Sequence, residues 1–152
     1  MPKTFLLAIA LVLFVPIACF AIDPCAEAYR NGKETENLSQ CRTKAESGDA
    51  EAEFGYALIL WSGHDQKNDQ REALKWFQKS ARQGHKLAQV ALGTFLSHEE
   101  VDQAFRDRPE AYAWFVTSGE TEAAARLLSQ LTSDEIQKAK ALAKEYEAKY
   151  KK

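Results

Sequence analysis

Between Ala50 and Trp61 almost every residue is apolar, a polar break follows at Ser62-Gly63-His64-Asp65, and from about Gln70 to Gln83 apolar residues recur among charged ones. The pattern predicts a helix, a short loop and a second helix packed back on the first. In the second helix Ala73 precedes Trp76-Phe77, and the same Ala-x-x-Trp-Phe spacing returns at Ala111, Trp114 and Phe115. Helical geometry puts the alanine and the aromatic pair on nearly one face, where the small side chain leaves room for a neighbour's ring. Pro109 stands where a first-turn proline is tolerated. Farther on, Thr132-Ser133-Asp134-Glu135 forms a capping box, and Ile136, Ala139, Ala143, Tyr146 and Tyr150 recur at helical spacing with Leu142 beside them. These residues predict a terminal helix with one apolar and one lysine-rich face.

Three segments begin alike: Gly48-Asp49-Ala50-Glu51-Ala52, Gly84-His85-Lys86-Leu87-Ala88 and Gly119-Glu120-Thr121-Glu122-Ala123. Their glycines are 36 and 35 residues apart, and each is followed four places later by alanine. A period of this length marks stacked helical units, with glycine suited to a helix C-cap and alanine to close helix contact. The residues resemble the Sel-one-like repeat family, a branch of the tetratricopeptide-like superfamily. The first unit supplies Gly48, Ala52, Gly63, Ala73, Trp76, Phe77, Ala81 and Gly84; the second supplies Gly84, Ala88, Leu92, Gly93, Ala111, Trp114 and Phe115. Tyr56-Ala57 stands where the family pattern has Leu-Gly, Leu60 and Leu96 replace its tyrosine, and the second unit ends short at Ser118-Gly119. The resemblance implies an all-α fold, a short right-handed α-solenoid of helix-turn-helix repeats. A cap would occupy residues 22–47, repeats 48–83 and 84–118, and a partial repeat with a capping helix 119–152.

The N-terminus changes the picture of compartment. Lys3, the apolar run Phe5 to Val15, Pro16 and small residues up to Ala21 have the three-part build of a secretory signal. A run of eleven apolar residues is short for a span of about 30 Å. The expectation is cleavage after Ala21, with retention as an anchor, or lipidation at Cys19, as competing readings; the mature chain would be periplasmic or secreted, with no membrane insertion. It would carry 19 basic and 22 acidic side chains, a net charge near −3. With the two signs alternating along every segment, there is no basic face for nucleic acid. Cys25 and Cys41 then remain as an even pair, which in an exported chain is read as a disulfide. The residues between them suffice for two short helices turning at Asn31-Gly32, and closing such a loop contributes about 3 kcal/mol in the chain-entropy picture.

No holder for catalysis is evident: no Gly-x-Ser-x-Gly elbow, phosphate loop or His-Glu-x-x-His pair, and no serine with lysine three places on. No cofactor, catalytic residue or metal ligand is expected. His64, His85 and His98 fall at helix ends or loops and are taken as solvated polar residues. Trp61, Trp76 and Trp114 are taken as repeat core.

In stacked repeats the first helix of each unit lines the concave side. If positions four, eight, nine and twelve after the repeat glycine face the core, positions three, seven, ten and fourteen lie opposite. These are Glu51, Gly55, Leu58 and Ser62 in one unit and Leu87, Ala91, Thr94 and His98 in the next. Such a small, partly apolar stripe suits an inserted helix or extended peptide, unless the N-terminal hairpin folds over its first half. The expectation is an adaptor binding another protein there. An immunity protein against a periplasm-delivered toxin and a hydrolase of β-lactam or cell-wall material are the alternatives.

Overall fold

The computed structural model describes Cys25 and residues 34–62 and 66–151. The expected signal segment 1–21, the turn at Asn31-Gly32 and the loop residues Gly63, His64 and Asp65 lie outside them. Among the described residues the fold is all-helical, with seven α-helices and no strand. These are α1 (Glu34–Glu46), α2 (Ala50–Ser62), α3 (Gln66–Arg82), α4 (Lys86–Ser97), α5 (Arg108–Ser118), α6 (Thr121–Leu128) and α7 (Ser133–Tyr150); a 3-10 turn, Gln103–Phe105, joins α4 to α5. From α1 to α6 each helix packs on the next in sequence, and α7 returns against α5 while touching α3. α3 starts a turn before the expected Gln70, since Gln66-Lys67-Asn68-Asp69 carries no apolar residue to mark the period.

The repeat glycines make the turns. Gly48, Gly84 and Gly119 have φ of 87, 85 and 90°, a left-handed conformation that costs other residues about 1–2 kcal/mol. After Gly84 the His85 N–H bonds the Ser80 carbonyl at 3.3 Å, and after Gly119 the Glu120 N–H bonds the Phe115 carbonyl at 2.8 Å. Both are the closing bond of a Schellman turn. The next helix is then capped from the following residue: Asp49 Oδ1 accepts from the Ala52 N–H at 2.8 Å, and His85 Nδ1 from the Ala88 N–H at 3.1 Å.

Aromatic rings join the units. Phe77, fully buried, lies 6.3 Å from Phe54, 5.9 Å from Trp61 and 6.1 Å from Phe95. Trp61 also meets Phe95 edge-on at 5.6 Å, so one ladder runs from α2 through α3 to α4. In the next unit Trp114 is buried under Tyr146 and Tyr150 of α7 at 4.5 and 5.5 Å. Both repeat tryptophans donate from the indole to a glutamate one turn earlier, Trp76 to Glu72 at 3.4 Å and Trp114 to Glu110 at 3.3 Å. Glu110 also accepts from the Tyr146 hydroxyl at 3.1 Å. Burial first, and then the Glu110 charge, push that phenol well above its ordinary range. At the other end Cys25 and Cys41 form a disulfide with Cα atoms 5.4 Å apart. Both cysteines are buried in the core beside Ala45.

Candidate interaction surface

The expected stripe divides into two halves with different surroundings. In the first unit Glu51 accepts from His85 Nε2 at 2.6 Å, Gly55 is buried, Leu58 is half-buried against the core, and the exposed Ser62 donates its hydroxyl to the Ile59 carbonyl at 2.9 Å. In the second, Leu87 is 59% exposed, Ala91 is half-buried beside it, and Thr94 faces a cleft. Leu87, Ala91 and Thr94 thus share one open face of α4. His98, at its C-terminal end, is exposed with its ring 6.2 Å from Trp61.

One histidine expectation is corrected. His85 is no solvated loop residue: its side chain is only 16% exposed, its ring lies 5.1 Å from Phe54, and it spans two units. Because Nδ1 accepts the Ala88 N–H, the proton sits on Nε2 and is donated to the Glu51 carboxylate. A histidine can act as an N-cap here because the turn at Gly84 brings its ring over the first N–H groups of α4.

The cleft, of about 340 Å³, lies between α4 and α6. Val90, Thr94 and Ser97 form one wall; Glu120, Ala123, Arg126, Leu127 and Gln130 form the other. Phe115 of α5 forms the floor. The α6 wall was not among the expected residues. The third repeat glycine, Gly119, pointed to it, but the helix after it holds only eight residues and continuing the count there yields mainly polar positions.

A second cavity, of about 510 Å³, lies where α5 and α7 begin and includes Arg106, Asp107, Arg108, Glu135 and Lys138. Its charges are of both signs, and Lys138 already bridges Asp107 at 2.9 Å. The Thr132 backbone N–H, and then its hydroxyl, hold the Glu135 carboxyl below its ordinary value within the capping box. Among the described residues no group of three or more His, Cys, Asp or Glu side chains could hold a metal ion. No helix among them is long and apolar enough to cross a membrane.

The Sel1 repeat pattern matches residues 50–85 and 86–118. A solved protective antigen present in uropathogenic Escherichia coli strains, displaying an SLR fold, superposes with a TM-score of 0.72 at 31% identity over 84% of this chain. The chain carries two Sel1 repeats and resembles the Sel1-like repeat family. It spans 29% of the length of that antigen chain. No curated protein matches it. Sel1 repeats point to a protein–protein interaction module, on a fold that is typically non-catalytic.

Proposed function

We propose that this Sel1-like repeat chain is an exported adaptor, periplasmic or secreted, that holds a partner protein on the concave side of its repeats. The observation that carries the reading is the open half of the stripe. Leu87 is 59% exposed on α4, while Ala91 and Thr94 continue its face toward a cleft. Leu87, Ala91 and the apolar part of the cleft together make one partly apolar concavity, the kind of surface into which a helix or extended peptide is laid. The buried Cys25–Cys41 disulfide supports an oxidising compartment. So does the similar E. coli protein's role as a protective antigen.

The test is affinity capture by the chain starting at Ile22 from an envelope extract, read by mass spectrometry and repeated with Leu58→Glu and Thr94→Arg. One enriched protein is expected, lost with Thr94→Arg while the circular dichroism stays helical. Loss with Leu58→Glu as well would extend the site across both units. Equal capture by all three chains would sink the concave-face site.

A further inference from the structure

The cleft between α4 and α6 has a defined hydrogen-bonding sense. On the α4 wall the Thr94 hydroxyl donates to the Val90 carbonyl at 2.9 Å, and the Ser97 hydroxyl to the Gly93 carbonyl at 2.8 Å. A hydroxyl has one proton and two lone pairs, so with their protons committed both residues face the cleft as acceptors. On the opposite wall Glu120 occupies the N-cap position of α6 without a side-chain bond to its own helix. The positive end of α6 favours an anion, and the Glu120 carboxylate supplies it. The cation on this wall, Arg126, is drawn along its own helix to Glu122 at 3.4 Å. Beside these groups Val90, Ala123, Leu127 and Phe115 supply the apolar half of the cleft, and Leu87 extends the apolar surface one turn up α4.

From these groups we infer that the occupant of the cleft is a short peptide segment in which a lysine or arginine stands beside an apolar residue. The inference rests on the concave face being the partner site and adds the chemistry of what enters it. The apolar side chain covers Val90 and Leu127. The cationic head meets the Glu120 carboxylate, and main-chain N–H groups reach the lone pairs of Thr94 and Ser97. An acidic segment would set its carboxylates against Glu120 and the lone pairs of Thr94 and Ser97, with Arg126, already engaged by Glu122, as the one cation among the described residues lining the cleft to receive them. The run from Val90 to Ser97 is about 10 Å of helix, the length of about three residues of extended chain. Recognition is therefore of a short motif.

The experiment is selection of random heptapeptides displayed on phage against the immobilised full chain, with counter-selection on Ala123→Trp, which fills the cleft without adding charge. Sequences pairing a basic with an apolar residue are expected to survive. A synthetic representative should bind on the order of fivefold more weakly to Glu120→Gln, and more weakly again to Glu120→Lys, with helicity unchanged. Enrichment of acidic sequences, or basic ones indifferent to Glu120→Gln, would overturn the chemistry and leave the concave site standing. Recovery of no peptide, or only of peptides that bind Ala123→Trp equally well, would overturn both.

Discussion

At Gly93 an added Cβ would sit 2.9 Å from Phe115 Cε1 and 3.0 Å from Cδ1, inside the distance at which real Cβ atoms are found. α4 and α5 therefore approach closely at this point, and Phe115, only 6% exposed, is held where it makes the floor of the cleft. Alanine at position 93 would gain about 1 kcal/mol of helix propensity over glycine. Displacing a packed ring in a core costs about 1–3 kcal/mol. Gly93→Ala is therefore expected to destabilise by about 1 kcal/mol in urea denaturation. A smaller side chain opposite should relieve it: Phe115→Leu is expected to cost less in the Gly93→Ala background than in the parent, a coupling that a double-mutant cycle reads directly. Additive losses would show that the two helices have room to part. The Leu92-Gly93 pair was legible in the sequence as a repeat position. That Phe115 lines a cleft was not, because its other walls belong to α4 and α6, which are separated from each other by the long α4–α5 connection.

Pairing of whole helices is where the sequence was most informative, since the Ala-x-x-Trp-Phe faces at Ala73 and Ala111 and the capping box at Thr132 all serve as packing or caps. Two junctions were less legible. The α4–α5 connection places a 3-10 turn and a buried Val101 against α3, with the Asp102 N–H donating to Gln70 Oε1 at 3.1 Å. No repeat position marks that segment. The α2–α3 pair also buries a carboxylate: Glu53, 3% exposed, accepts from Gln83 Nε2 at 2.7 Å. Its place among the apolar residues of α2 gave no sign that it faces inward, because α2 is apolar on nearly all sides. Burial raises the Glu53 carboxyl above its ordinary 4.5, with the Gln83 bond and Lys79 opposing. The folded chain thus binds this proton more tightly than the unfolded chain. The group weighs against folding at neutral pH, and that penalty fades as pH falls through the raised value toward 4.5. Glu53→Gln keeps an acceptor for Gln83 and removes the charge. It is expected to raise the melting temperature at pH 7, with the difference from the parent shrinking as the pH is lowered toward 4.5. A difference independent of pH would show that the Glu53 charge is not what burial penalises.

Among the described residues α1 to α6 each lean on their neighbours in sequence and α7 leans on α5, so cooperativity is passed along the stack through a few joints. The aromatic ladder of Trp61, Phe77 and Phe95 and the His85–Glu51 bond join the first two units. Trp114 with Tyr146 and Tyr150 joins the last two. At the N-terminal end the joint is different in kind: α1 brings Cys41 and Ala45 to the core, and the disulfide to Cys25 ties the chain 16 residues back. Closing a loop of that size is worth about 3 kcal/mol, a sizeable share of the 5–15 kcal/mol typical of a whole domain. For the chain starting at Ile22, alkylation without reduction is expected to label no cysteine, and Cys25→Ser with Cys41→Ser to lose about 3 kcal/mol. Because the stack couples by nearest neighbours, the loss should be graded along it. Hydrogen exchange of the reduced chain is expected to show α1 losing protection first, α2 next, and α5 with α7 retaining theirs. The α4–α6 cleft lies beyond the first aromatic joint and should bind its partner in the reduced chain as in the oxidised one. Uniform loss of protection from α1 to α7 would mean that the repeats fold as one indivisible unit, and that the disulfide supports the cleft as directly as it supports the cap.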